Sequence, residues 1–211
     1  LLYMARLLCA ASEEASKAMI ESARLPEILL NSNNVPVEKG VLDGVLDSAE
    51  NPLAAARGAR IMGLALLANL AARPQCAARL IERADMNLII SAASRALMME
   101  NKDVSQMGGA LSHNLALALT AEVGTTTATE HIAPLLFAAL EALAKDGALA
   151  DTDAFGRALS TVGHLLAPKD DEAFAVALSL DAPATLSALK GRAEKLGHTA
   201  LLEKVQDLLS I

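Results

Sequence analysis

Long apolar runs broken by short polar stretches fill this chain, and within the runs the hydrophobic positions recur at helical spacing. The plainest run is Ile61–Ala72, IMGLALLANLAA, twelve residues with no charge and with Asn69 as the one polar side chain. A related pattern returns at Leu111–Ala118 (LSHNLALA), Val162–Ala167 (VGHLLA) and Val205–Ser210 (VQDLLS). Each time a polar residue (Asn69, Asn114, His164, Asp207) is followed by leucine and then a small or aliphatic residue. Arg6, in MARLLCAA, is a candidate fifth. The steps are 45 residues from 69 to 114, 50 from 114 to 164 and 43 from 164 to 207. A period of that length, with two or three helices per unit, is the signature of an armadillo or HEAT solenoid. The 211 residues suffice for one solenoid of four or five units or for one ordinary domain; the expectation is a right-handed solenoid of about five to six repeats, a single domain over 1–211 with no internal linker.

Punctuation residues divide the runs into helices. Residues 1 to about 22 read as one or two short amphipathic helices, and 21–30 add another that carries Pro26. Asn31–Asn34 form a loop, because such side chains compete with the helical backbone for hydrogen bonds. Pro36 then opens a helix to about Ser48, and Asn51–Pro52 supply a cap and first turn for one reaching Ala72. Further helices are expected over 74–83, 86–99, 104–123, 131–145, 154–166, 172–180, 183–196 and 199–210. Thr127 and Glu130 match a capping box ahead of His131. The chain starts in mid-pattern, with no capping residue before Leu1, so a fragment of a longer protein is expected.

A run apolar almost all round, such as 61–72, belongs between layers rather than on a surface. In an armadillo unit the inner helix packs on its own repeat and on both neighbours, leaving one narrow strip toward a concave groove. Asn69 is then either a satisfied core amide or a groove residue, and its recurrence favours the groove. If Asn69, Asn114 and His164 line that groove, Met62, Met107 and Arg157, seven residues earlier, share their strip. Asparagines in a row can hold an extended peptide by its backbone, while a cation selects acidic side chains or a terminal carboxylate. The competing reading of Arg157 is a solvated residue paired with Asp151 or Asp153.

Composition sharpens the class. Hydrophobic residues make up 53 % but aromatics only 2 % (Tyr3, Phe137, Phe155, Phe174), so alanine and leucine supply the apolar mass and all-α is favoured over all-β. A net charge of −7 argues against general nucleic-acid binding, which needs a basic surface. The uncharged runs fall short of the roughly 18 residues that a membrane span requires. Cys9 and Cys76 lie in apolar helices, as structural thiols in a reducing, cytoplasmic or nuclear compartment would. His113, His131, His164 and His198 show no i, i+4 pair for zinc. Gly124–Thr127 lacks the Gly-Lys-Ser/Thr of a phosphate loop. No catalytic residue, metal, cofactor or small-molecule substrate is therefore expected.

Four stretches together resemble the PUL domain, the C-terminal armadillo-type module of the phospholipase-activating-protein family of ubiquitin-system adaptors. They are AARGARIMGLALLANLAARPQCAARLI, GGALSHNLALAL, DAFGRALSTVGHLLAPKDDEAFAVALSLDAPATL and the closing VQDLLSI. Arg157, Gly163, Leu165, Asp170, Asp171, Ala173, Ala177 and Asp181 match the family's later pattern. The resemblance spans about Leu1 to Ile211, with the family's opening helix missing before Leu1. It implies a six-repeat armadillo fold whose basic concave groove binds the acidic C-terminal tail of the valosin-containing AAA ATPase. Taken with the strip read from the repeat, the candidate peptide-binding residues are Arg157, Asn69, Asn114, His164 and Arg60. The departure is Ala65, which stands where the family usually has a basic residue, with Arg57 and Arg60 further up the same helix. A generic armadillo scaffold for another extended peptide or protein is the alternative.

Overall fold

A computed structural model describes residues 12–21, 54–83, 86–121, 126–145, 152–167 and 171–210. All secondary structure among these residues is helical. In chain order the helices are α1 (Glu13–Glu21), α2 (Ala54–Ala71), α3 (Pro74–Arg83), α4 (Met86–Leu97) and α5 (Lys102–Ala121). They continue with α6 (Thr126–Ala144), α7 (Thr152–Leu166), α8 (Asp171–Ser179), α9 (Ala182–Leu196) and α10 (Thr199–Leu209). The expected helices at 22–30 and 36–48, the Asn51–Pro52 start and Cys9 lie outside the described residues.

Local chemistry accounts for most boundaries. Ser12 accepts the Ala15 N–H at 3.2 Å and opens α1, and Asn101 accepts the Val104 N–H at the same distance to open α5. Asp181, at φ 53°, turns the chain between α8 and α9 in the left-handed region that Asp tolerates better than most side chains. Gly197, at φ 70°, ends α9, its N–H returning to the Glu194 carbonyl. One expected boundary is corrected. Helix α6 already begins at Thr126, so Thr127 stands inside it and is not a cap before His131. The Thr-x-x-Glu spacing also occurs inside a helix, where it carries no capping geometry. Pro134 also lies inside α6, exposed, and denies the Glu130 carbonyl its helical donor.

The helices pack in two rows, consistent with an α-solenoid. In one row α2 lies on α5, α5 on α7, and α7 meets α10. In the other α4 lies on α6 and α6 on α9. The rows join where α4 meets α5, α6 meets α7 and α9 meets α10. A single hydrophobic cluster runs between them from Leu64 to Val205. The apolar run that stands out in the sequence is buried as its pattern requires: Leu64, Leu66, Leu67 and Leu70 are enclosed, and Cys76 follows them into the core as a buried thiol. Close approach of α4 and α5 depends on Gly108, where a β-carbon would stand 2.5 Å from the Leu97 nitrogen and 2.8 Å from Ala96.

Helix ends tie successive layers together at a constant offset. Lys145, just past α6, donates through Nζ to the Met98 carbonyl just past α4, at 2.6 Å. Arg192 of α9 donates to the Leu143 carbonyl at 3.0 Å and to the Lys145 carbonyl at 3.3 Å, past the end of α6. The donor lies 47 residues after its acceptor in the first case and 49 or 47 in the second, close to the period seen in the sequence. In each, a cation neutralises the negative end of the preceding helix in its row.

Candidate functional site

The row α2, α5, α7 presents one continuous open face. On α2 its strip holds Gly58, Met62 and Asn69, with Ala65 between them only 5 % exposed. On α5 it holds Gln106, Met107, His113, Asn114 and Leu117, the last 42 % exposed. On α7 it holds Asp153, Arg157, Ser160 and His164. On α2, counting Ala65, and on α7 these positions recur every three or four residues, and on α5 the pairs 106/107 and 113/114 lie two turns apart with 117 one turn on, so each helix contributes one side. The face mixes amide, imidazole and guanidinium groups with half-buried methionine and exposed leucine.

The polar residues expected from the sequence occupy distinct places on this face. Asn114 is half-buried, and its Nδ2 donates to the Ala68 carbonyl of α2 at 2.8 Å. That carbonyl belongs to the last turn of α2 and also accepts the Ala72 N–H at 2.9 Å. Asn114 therefore fastens α5 to α2, as a structural amide does. Asn69, beside Ala68, is half-buried and makes no side-chain hydrogen bond among the described residues. Its amide is thus available at the surface. Arg157 is exposed and carries no ion pair among the described residues; Asp153 accepts Gln106 Nε2 at 3.5 Å. The side chain of Arg60 lies outside the described ones.

His164 does not meet Asn114, its counterpart in the repeat pattern. It meets His113, with ring centroids 5.0 Å apart and the planes inclined by 55°. Consecutive helical residues point about 100° apart, so Asn114 turns back toward α2 while His113 turns forward toward α7. The aliphatic stem of Arg157 lies over Gly109, one turn before His113: a β-carbon on Gly109 would stand 3.3 Å from Arg157 Cβ. Glycine there lets α7 approach α5 closely, and the Arg157 guanidinium acts electrostatically on His113. His113 is held below the ordinary imidazole pKa, first by burial, then by His164 and then by Arg157. Its Nδ1 is buried without a hydrogen-bond partner. His113 is the residue the sequence pattern missed. The one signal that pointed to it was its place next to Asn114 on the strip.

Among the described residues no three His, Cys, Asp or Glu side chains gather as a metal site. No single described helix is long and apolar enough to cross a membrane.

Comparison with known proteins bears on the same residues. No curated protein and no solved structure matches the chain. The family model described as the PUL domain matches residues 5–206, nearly the whole length, so this chain belongs to the PUL domain family, a family of protein-interaction domains.

Proposed function

We propose that this domain captures the acidic C-terminal tail of the valosin-containing AAA ATPase on the α2–α5–α7 face, as an adaptor in ubiquitin-dependent protein turnover. The observation that carries the reading is the conjunction of exposed Arg157 and half-buried His164 and His113 on one side of the face with Asn69 on the other. An extended acidic peptide lying across successive helices would find amide groups for its backbone and cationic groups for its carboxylates. Exposed Leu117 and half-buried Met107 offer apolar contact between them. The same reading takes the two rows as part of a right-handed solenoid of five to six repeats with this face on its inside. It puts the protein in the cytoplasm and nucleus, and assigns it no enzymatic role.

Fluorescence anisotropy with a labelled tail peptide tests it. Saturable binding with a roughly micromolar Kd is expected, weaker at higher salt and weakened at least about tenfold by Arg157→Glu, because a cation–carboxylate contact becomes a repulsion. Absence of saturation up to millimolar protein defeats the reading. The second reading, a scaffold for a different extended partner, draws support from the chain's net charge of −7 and from Ala65 in the middle of the face. A pull-down that recovers another protein and no ATPase favours it.

A further inference from the structure

Two imidazoles and a guanidinium from neighbouring helices are an expensive group to bring together unless something negative joins them. His113 of α5 and His164 of α7 stand with ring centroids 5.0 Å apart, and Arg157 bears on His113 from the same side. Among the described residues these two α7 side chains are the charged or titratable groups acting on His113. From α2 the face brings Asn69, which is neutral, and the described faces of α4 and α6 against α5 bring no charge to it. The half-buried His113 imidazole, whose Nδ1 has no hydrogen-bond partner, is disfavoured in its charged form by burial, then by His164 and then by Arg157.

We infer that His113, with His164 and Arg157, forms a proton-linked site for a peptide carboxylate. A carboxylate seated against the pair supplies the missing negative charge, and His113 takes one proton from solvent as the peptide binds. By linkage the acidic form of the protein binds more tightly. The gain appears as pH falls from neutrality through the imidazole range, and stops growing once His113 is protonated without peptide. This inference rests on the face being an acidic-peptide site, and adds to it a residue and a dependence on pH.

The test uses the whole domain and an acidic peptide with free carboxylates. Titration calorimetry in two buffers of different ionisation enthalpy reads proton uptake directly. Uptake of a fraction of a proton is expected near neutrality, with affinity about three- to tenfold higher at about pH 6 than at about pH 8. His113→Gln is expected to abolish both the uptake and the pH dependence. Should that variant fold poorly, the His113 ring of the wild-type protein can be followed by NMR through its Cε1–H, with and without peptide. An upward shift of its midpoint on binding is the expected result. Saturable binding with no proton uptake and an unmoved His113 midpoint overturns the inference while leaving peptide capture intact. No saturable binding at either pH overturns both.

Discussion

Arg192 spans from α9 to the end of α6 and supplies donors to carbonyls that the helix itself leaves unpaired. It is half-buried, so water replaces it poorly; Arg192→Ala is expected to lower unfolding stability by about 1–2 kcal/mol in urea titrations. Lys145 makes the equivalent reach to Met98 from an exposed position with one donor, so Lys145→Ala should cost at most about 1 kcal/mol. Equal losses would show that position in the row, rather than burial and donor number, sets the value. His113 contributes at this scale too. Its folded-state pKa is depressed, so its contribution to stability is present above the ordinary imidazole pKa and is lost as pH falls through the folded value. The thermal unfolding midpoint of the peptide-free domain should therefore fall from about pH 7 to about pH 5 more steeply in the wild type than in His113→Gln. Parallel profiles would mean that His113 titrates alike folded and unfolded.

At the scale of helices, close approach decides what each position tolerates. Gly108 lies where α5 meets α4, and an added β-carbon would press on the Leu97 backbone, which cannot swing aside as a side chain can. Gly108→Ala is expected to cost about 3 kcal/mol or more, or to prevent folding. Gly191, inside α9, has nothing within 4 Å of the same added atom, so Gly191→Ala should stabilise by about 0.5–1 kcal/mol through helix propensity alone. Thermal melts of the two variants separate packing from propensity. These elements also show where reading the chain succeeds and where it stops. Pro74 opens α3 where its position in the sequence placed a helix start, because proline chemistry acts within a few residues. The repeat of Asn69, Asn114 and His164 falls on α2, α5 and α7, which pack in one row. It cannot tell which of two adjacent residues a helix turns toward its neighbour, and the 100° between His113 and Asn114 decides that. Nor does a sequence period reveal that Arg192 and Lys145 reach back onto carbonyls more than forty residues earlier.

For the whole molecule, a stack in which each helix touches mainly its neighbours has stability that varies along it. Helix α5 stands at the centre, packed by α2, α3, α4, α6 and α7, with Leu111, Leu115 and Leu119 enclosed. Helix α10 stands at an end, held by α9 and by α7, and buries only Leu201 and Val205. Opening α10 alone uncovers little apolar surface, whereas opening α5 separates both rows. Amide hydrogen exchange read by mass spectrometry should therefore show the slowest exchange over 111–119 and exchange faster by orders of magnitude over 199–209. Equal protection of the two would instead mean a single cooperative unit. The gradient bears on binding, because the face formed by α5 and α7 holds His113, His164 and Arg157 on the best-supported helices. A peptide binding there meets side chains already in position, so little ordering cost opposes even a shallow contact. Protection over α5 should then change little when an acidic peptide is added. A large rise there would show that the face is assembled by the peptide rather than offered to it.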